Sequence, residues 1–246
     1  MSNRTTEARA EILDRLSRVL DKASPLFRGT SDLRMPEIPM TVTRSEGDSR
    51  DLARLFASKL AATGGSCEIA RQQAEVSERI LERMRTWKAD GVDAGEILSW
   101  APRELPIPGI EDDLERVGIS LFVPDDLQDE PVRMRAASAV VGLTSAAAAF
   151  ASTGSVVLTS APGKSRAASL LPLHHLVLLP TSRLYPTFEA WLKELRRGNR
   201  LGDLWRSNAQ IVFVTGPSKS ADIELSLTLG VHGPRVVHTI LFDDNP

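Results

Sequence analysis

One polar segment of this sequence carries several side chains of the kinds that bind ligands or move protons. Gly216-Pro217-Ser218-Lys219-Ser220-Ala221-Asp222-Ile223-Glu224 follows the apolar run IVFVT directly. Ser218 and Ser220 offer hydroxyls, and free N–H groups at the start of a following helix would favour an anion. On a helix, Asp222 and Glu224 would point to nearly opposite sides, whereas in an extended chain they would share a face, so they form no evident catalytic pair. The segment predicts a ligand site with these two candidate catalytic carboxylates, although helix capping explains the same residue types.

A histidine between two glycines is the second candidate. Gly230-Val231-His232-Gly233-Pro234 leads into the apolar run VVHTILF. Imidazole titrates near neutral pH, which suits proton transfer. A structural turn in which the imidazole binds a carbonyl group fits the pattern equally well. His232 and Gly233 are therefore candidate ligand-binding residues, and His232 is also a candidate catalytic group. His238, inside the apolar run, is predicted to be a core histidine.

Hydroxyl side chains around an alanine-rich stretch form the third candidate. Residues 145–152 predict a helix that ends at Thr153-Gly154, where glycine suits a left-handed cap. Close packing accounts for the alanines, but it accounts less well for Thr144, Thr153 and Ser155 near the predicted turns. Thr144, Thr153, Gly154 and Ser155 are therefore candidate ligand-binding residues.

Two adjacent histidines form the last candidate. His174 and His175 enter an apolar strand, in which neighbouring side chains point to opposite faces. They therefore do not bind one metal ion as a compact pair, and no carboxylate or third histidine stands at a diagnostic spacing. The sequence predicts no metal site, and His175 is retained as a candidate ligand contact.

Nucleotide-binding loops are excluded by their spacing. Gly163-Lys164-Ser165 has the ending of a P-loop, but Leu158 stands where that loop needs a glycine. No glycine-rich dinucleotide fingerprint follows a predicted strand either. Neither a P-loop NTPase nor a Rossmann dinucleotide site is expected.

The candidate residues must be positioned by an alternation of short apolar strands and helices. Runs such as IVFV and VVHTILF are apolar at nearly every residue, as burial on both faces of a sheet demands. The alternation predicts an α/β fold with a mostly parallel sheet covered on both faces. Ligands of such sheets bind outside the carboxyl ends of the strands, where the segment after IVFVT is expected. Residues 1–45 predict an N-terminal helix and a proline-containing arm, and residues 46–246 predict the α/β domain.

Composition limits the classes of function. A net charge of −2 over 246 residues offers no basic surplus for nucleic acid. No apolar run approaches the roughly 20 residues of a membrane span, and the polar start lacks a secretory signal, so a cytoplasmic location is expected. Cys67 is the single cysteine, and it is predicted to be an inert core thiol. An iron–sulfur cluster usually needs about four thiolates, so this chain alone is expected to hold none.

The candidate segments, taken together and in this order, resemble the lactate-utilisation protein C family of LUD-domain proteins. The residues that carry the resemblance are Gly142-Leu143-Thr144, Ser152-Thr153-Gly154-Ser155-Val156-Val157-Leu158, Ser169-Leu170-Leu171-Pro172 with His175, and the two segments at 216–224 and 230–234. The resemblance is specific over residues 139 to 243. It implies a three-layer α/β/α sandwich similar to the NagB/RpiA/CoA-transferase-like fold. It also implies a role in oxidising L-lactate to pyruvate beside two partner proteins that carry the iron–sulfur centres.

Three positions depart from the family pattern. The family often has glutamate before T-G-T, where this chain has Ser152, and arginine and threonine where it has Lys219 and Ser220. Lysine keeps the charge but loses the planar two-pronged donor. If the family's glutamate serves as an acid or base, that role is not expected of Ser152.

Three functional hypotheses remain open on the sequence. The leading one is a non-redox subunit of a lactate-oxidising complex that binds a small carboxylate or a partner near Ser218, Asp222 and His232. The second is a separate acyl- or CoA-transferring or nucleotide-using enzyme, with Asp222 or Glu224 as nucleophile or base. The third is a structural partner-binding module that uses the N-terminal helix and the arm at residues 24–49.

Overall fold

The chain divides into two units, residues 1–40 and residues 41–246. The computed structural model describes residue 9 and residues 11–18, 48–92, 95–221 and 227–244. In the first unit, the described residues 11–18 are helical (α1), as the sequence predicts. The proline-containing arm and the boundary near residue 45 fall almost wholly outside the described ranges, so both stay predictions.

The first half of the second unit alternates helices with strands. Its elements in chain order are α2 (Ser49–Ala62), β1 (Ser66–Ala70), α3 (Val76–Ala89), β2 (Glu96–Ser99), α4 (Ile110–Glu115), β3 (Ser120–Phe122), α5 (Glu130–Ser138) and β4 (Val141–Ser145). Helix α2 begins after Asp48, whose carboxylate accepts hydrogen bonds from the N–H groups of Arg50 and Asp51, both at 2.9 Å. This cap satisfies two of the N–H groups that a helix start leaves open.

The second half contains more strands than helices. Its elements are β5 (Ala148–Phe150), β6 (Ser155–Ser160), α6 (Ala167–Leu170), β7 (His174–Pro180), β8 (Leu184–Tyr185), α7 (Phe188–Arg197), α8 (Leu201–Arg206), β9 (Gln210–Val214), β10 (Lys219–Ala221), β11 (Leu227–Leu229) and β12 (Val236–Phe242). Short 3₁₀ helices also occur, among them Pro102–Glu104 after β2 and Thr181–Arg183 after β7. Among the described residues, no helix combines the length and apolar character that a bilayer crossing requires.

Six strands of the described chain form one sheet in the order β1-β12-β7-β4-β2-β3. Every neighbouring pair in it is parallel. In chain order, the next strand of this sheet after β2 is β3, on one side, and the next after β4 is β7, on the other, so the strand order reverses between β4 and β2. The predicted α/β fold with a mostly parallel sheet is confirmed.

Alternate residues of the central strands bury opposite faces of this sheet. Leu176 and Leu178 of β7 belong to the cluster that α3 and α4 cover, whereas Val177 and Leu179 belong to the cluster that α2 covers. Helix α3 covers its face with residues three or four positions apart: Val76, Ile80, Met84 and Trp87. Burial on both faces explains why the run VVHTILF is apolar at nearly every position.

A second sheet, which the sequence did not predict, packs on the α2 side of the parallel sheet. Its order is β8-β5-β6-β9, and β6 is antiparallel to both of its neighbours. The helix predicted over residues 145–152 is wrong, because Ala148–Phe150 form strand β5. Strands β6 and β8 pair with β5 on its two sides. Burial of this alanine-rich segment in a sheet interior outweighs the helix propensity of alanine.

The run IVFV is a strand, as predicted, but it does not lie in the parallel sheet. It forms β9 at the edge of the second sheet, and its Phe213 side chain is 50% exposed. The expectation of burial on both faces is therefore wrong for this run. Its apolar character has another origin, since Phe213 packs with Phe150 and Phe188, with ring centroids 6.1 and 5.6 Å apart.

Candidate functional site

The glycines of two candidate segments pack on the carboxyl-terminal end of α2. Gly154 and Gly216 have positive φ angles of 67° and 77°, which glycine adopts without steric cost. A Cβ atom at Gly154 would clash with the backbone of Leu60, and one at Gly216 would clash with Thr63. The structure therefore brings residues 153–155 and 216–218 together around one helix end.

Polar groups of these segments bind one another or the helix end. The Thr153 hydroxyl donates to Ser155 Oγ at 2.8 Å, and the Ser155 and Thr215 hydroxyls are hydrogen-bonded at 2.7 Å. Lys219 Nζ donates to the carbonyl oxygen of Thr63 at 2.6 Å. A cation is favourable there because the carboxyl-terminal end of a helix carries partial negative charge. These hydroxyls and this ammonium group hold the segments in place.

The segment after β9 does not begin a helix, so the predicted helix-start anion site is wrong. Lys219–Ala221 form strand β10, which pairs antiparallel with β11. The turn before it is closed by backbone bonds to the second glycine segment: Ser218 N–H donates to Pro234 O at 2.8 Å, and Gly230 N–H donates to Ser218 O at 3.0 Å. Ser220 lies on β10 opposite Thr228. Asp222 and Glu224 lie outside the described residues, so their catalytic roles stay predictions.

The two glycine-containing segments meet, and His232 lies on the surface beside them. Gly216 and Pro217 are buried, whereas His232 is exposed. A Cβ atom at Gly233 would lie 3.4 Å from Ser218 Cβ, which is ordinary contact. Among the described residues, the His232 ring has no hydrogen-bond partner, so it is free to bind an external group.

This cluster lies at the amino end of the parallel sheet, not at the carboxyl end that the sequence predicts. Residues 230–234 lead directly into the first residues of β12, and Thr63 lies just before β1. The expectation fails because β9, which precedes Gly216, belongs to the second sheet. The rule that places ligands at carboxyl strand ends applies only to strands of the parallel sheet.

Thr144 and His175 bind each other inside the core. His175 Nε2 lies 2.8 Å from Thr144 Oγ1, and both residues are fully buried. Burial lowers the pKa of His175 to about 4, so its imidazole is neutral at neutral pH. The Nδ1 atom is buried without a hydrogen bond among the described residues. This pair is buried, whereas His232 is exposed.

A serine, a histidine and a glutamate adjoin near the amino ends of β1 and β12. His238 Nδ1 lies 2.7 Å from Ser66 Oγ, and its Nε2 lies 3.6 Å from Glu68 Oε1. Glu68 is paired with Arg83. Burial, together with the positive charge of Arg83, lowers the pKa of His238 to about 3. So weak a base is poorly suited to activate a serine at neutral pH, and His238 is a buried core residue, as predicted.

A cavity of about 340 Å³ lies where the strand order reverses, at the carboxyl ends of β2 and β4. Its lining residues are Trp100, Arg103, Glu104, Leu105, Ala147, Thr159, Lys164 and Arg183. None of them is a candidate from the sequence, and Lys164 belongs to the rejected P-loop ending. The signal that locates them is position: Trp100 follows β2 directly, and Arg183 lies three residues after the end of β7.

Backbone and side-chain bonds hold the walls of this cavity. Ala101 N–H donates to Gly163 O at 2.8 Å, and Trp100 Nε1–H donates to Ser165 O at 3.2 Å. These bonds fix the loop after β6 against the 3₁₀ helix after β2. Arg183 Nη1 donates to the Ala146 carbonyl oxygen at 2.8 Å. These bonds join the walls of the cavity to one another. The cavity lies at the carboxyl end of the parallel sheet, where α/β proteins commonly bind ligands.

A larger cavity, of about 690 Å³, lies at the carboxyl ends of β1 and β12. It is lined by Arg50, Arg54, Arg71, Thr181 and Asp243, among others. Because β1 is one of the two edge strands, this cavity lies beside an outer strand and away from the reversal of strand order between β4 and β2. The smaller cavity fits the rule for ligand position better.

The architecture and the motif cluster define an α/β protein of the LUD type, and comparison with known proteins agrees. The LUD domain family model matches residues 52–242, so this chain belongs to the LUD domain family. A crystal structure of a DUF162 family protein from Deinococcus radiodurans superposes with a TM-score of 0.54 at 20% identity, covering 80% of this chain and 99% of that one. That likeness supports the fold.

Several relatives are similar over much of their length. Lactate utilization protein C of Exiguobacterium sp. is 29% identical over 245 residues, which cover 99% of this chain and 100% of the relative. The protein of the same name from Shouchella clausii is 34% identical over 170 residues, 69% of this chain and 72% of the relative. In Halalkalibacterium halodurans the corresponding protein is 34% identical over 151 residues, 61% and 64% of the two chains.

Proposed function

We propose that this protein is a non-redox component of a system that oxidises L-lactate to pyruvate. The observation that carries the proposal is the similarity to the lactate utilization protein C of Exiguobacterium sp., which extends over that protein's whole length. Similarity of that extent covers the α/β domain and the N-terminal region together. It therefore supports a shared role for the entire chain.

Iron–sulfur partner proteins are proposed as the electron carriers. Oxidation of L-lactate to pyruvate releases a pair of electrons, which must pass to a redox centre. The single cysteine, Cys67, is a poor ligand because burial raises the pKa of its thiol to about 12. A cluster held by about four thiolates therefore needs other chains.

The surface near Ser218 and His232 is the proposed contact with a partner or with a small carboxylate. Its support is the exposed imidazole of His232 beside a turn that two backbone hydrogen bonds close. The closed turn fixes the backbone around His232, which lowers the backbone entropy lost on binding. Asp222, a few residues farther along the chain, belongs to the same proposal.

Gene deletion in the host tests the proposed function. We expect loss of growth on L-lactate and loss of lactate oxidation in extracts, both restored by the wild-type gene. His232→Ala and Asp222→Ala are expected to restore at most about a tenth of the activity, at unchanged protein abundance. The control Lys193→Ala removes a charge from an exposed position of helix α7, and it is expected to restore the activity fully. Unchanged lactate oxidation after deletion, in a host without a second copy, would disprove the proposal.

Copurification tests the partners separately. A tagged chain isolated from lactate-grown cells is expected to bring down proteins that contain iron and acid-labile sulfide, and the chain purified alone is expected to contain neither. Copurification without iron would contradict the assignment of the redox centres to partners.

A further inference from the structure

We propose that the cavity at the carboxyl ends of β2 and β4 binds a small organic acid through its carboxylate group. The inference follows from the cavity itself and does not depend on the role in lactate oxidation. It concerns residues far in sequence from the glycine-containing segments, at the opposite end of the parallel sheet.

The cavity lies between β4 and β2, where the strand order of the parallel sheet reverses among the described strands. Strands β2 and β4 are adjacent there, and the next strands of this sheet in chain order, β3 and β7, lie on opposite sides of them. The chain leaves β4 for β5 of the second sheet, so it parts from the connection after β2 and leaves a crevice beyond the strand ends. Trp100 and Ala147 contribute to the cavity just after β2 and β4 respectively.

The charges around the cavity favour an anion. Arg103, Lys164 and Arg183 face a single lining carboxylate, Glu104. Glu104 is already paired, since its Oε2 lies 3.1 Å from Lys164 Nζ and its Oε1 lies 3.5 Å from Arg103 Nε. Asp244 is the carboxylate whose charge acts on Arg183, and it accepts hydrogen bonds from Ser182. Positive charge therefore remains in excess inside the cavity.

Arg183 is held ready to bind a planar anion. Its Nη1 donates to the Ala146 carbonyl oxygen at 2.8 Å and to Ser145 Oγ at 3.2 Å. Within the described residues its Nε and Nη2 atoms make no hydrogen bond. A guanidinium fixed on one side and free on the other suits the two oxygens of a carboxylate.

Size favours an organic acid over a bare inorganic anion. A volume of about 340 Å³ lies at the small end of the roughly 300–1,000 Å³ range of ligand cavities. The exposed wall is mostly polar, and Thr159 contributes a hydroxyl to it, while Trp100, Leu105 and Ala147 contribute the smaller apolar part. Inorganic phosphate would fill little of that volume, whereas a small acid could place its carboxylate on the cationic groups and its other polar groups along the rest of the wall.

Titration calorimetry on the purified full-length chain tests the proposal. The probes are L-lactate, pyruvate, succinate and inorganic phosphate, with glycerol as the uncharged control. We expect at least one carboxylate probe to bind, and the binding to weaken about tenfold or more in Arg103→Gln and in Lys164→Gln. The Arg103 side chain is exposed and the Lys164 side chain is partly exposed, so both variants are expected to fold. Thermal unfolding would verify this.

The matched control is Lys193→Gln, which removes the same charge from a distant exposed position and should leave binding unchanged. Absence of binding by all three carboxylates would overturn the proposal, and so would binding of phosphate alone. If Lys193→Gln weakens binding as much as Arg103→Gln and Lys164→Gln do, the proposal is overturned too, because general attraction of anions would then explain the affinity. The growth test of the proposed function is a separate experiment, so either idea can fail without the other.

Discussion

The two ends of the parallel sheet use their polar residues in different ways. At the amino end, Thr153, Ser155 and Thr215 form a chain of hydrogen bonds, and Lys219 binds the carbonyl oxygen of Thr63 at the end of α2. At the carboxyl end, Arg103, Lys164 and Arg183 line a cavity with a single carboxylate, Glu104. One region is assembled largely from internal contacts, and the other keeps cationic groups in excess over carboxylates.

This difference shows what a recognisable motif reports. The segments that identify the family are rich in glycine, serine and proline, residue types that permit sharp turns and close approach of backbones. Gly154 and Gly216 do this at the end of α2. Long cationic side chains beside a cavity follow no such pattern, so a sequence motif marks the first region and not the second.

The largest expected effect is that of Gly154→Ala. A Cβ atom there clashes with the backbone of Leu60, which cannot move without shifting α2. We expect a loss of at least about 3 kcal/mol in the free energy of unfolding by urea. Gly109→Ala is the matched control, because Gly109 has a similar φ of 73° but no atom within 4 Å of the added Cβ. That variant should lose only about 1 kcal/mol, and equal losses would show that Gly154 is not a packing contact.

A smaller effect is expected from pH through His175. Its pKa is about 4 in the folded protein and about 6.5 when unfolded. Below pH 6.5 the unfolded chain therefore binds the extra proton, and stability falls as the pH is lowered toward 4. Between pH 7 and pH 5, His175→Gln should lose about 2 kcal/mol less stability than the wild type. The measurement is the free energy of unfolding by urea at pH 7 and at pH 5. If the wild type and His175→Gln lose equal stability between these pH values, His175 titrates normally and is accessible.

The smallest effect is expected from Ser155→Ala. The variant breaks the hydroxyl chain that joins Thr153 to Thr215, which should cost about 1 kcal/mol in the free energy of unfolding. Ser138→Ala is the control, because Ser138 is exposed and bonds only to a neighbouring carbonyl group. If Ser155→Ala instead abolishes lactate oxidation while leaving stability unchanged, the hydroxyl chain of Thr153, Ser155 and Thr215 is itself functional, and its assignment to internal contacts fails.

Much of the parallel sheet could be predicted from the sequence. The apolar runs that form β7 and β12 are buried on both faces, and such runs mark central parallel strands. The leading hypothesis places Ser218 and His232 near one ligand, and the backbone bonds between Ser218, Gly230 and Pro234 bring their two segments together. Glycines with positive φ stand where those segments turn.

The partners of each strand were decided by the tertiary structure. An apolar run reports burial but not the strand beside it, so IVFV was assigned to the wrong sheet. Alanine is compatible with a helix or with a tightly packed strand, and pairing with β6 and β8 made residues 148–150 a strand. The cavity beyond β2 and β4 depends on the same long-range pairing. It brings Arg103, Lys164 and Arg183 together from positions up to 80 residues apart, and local sequence patterns do not encode such distances.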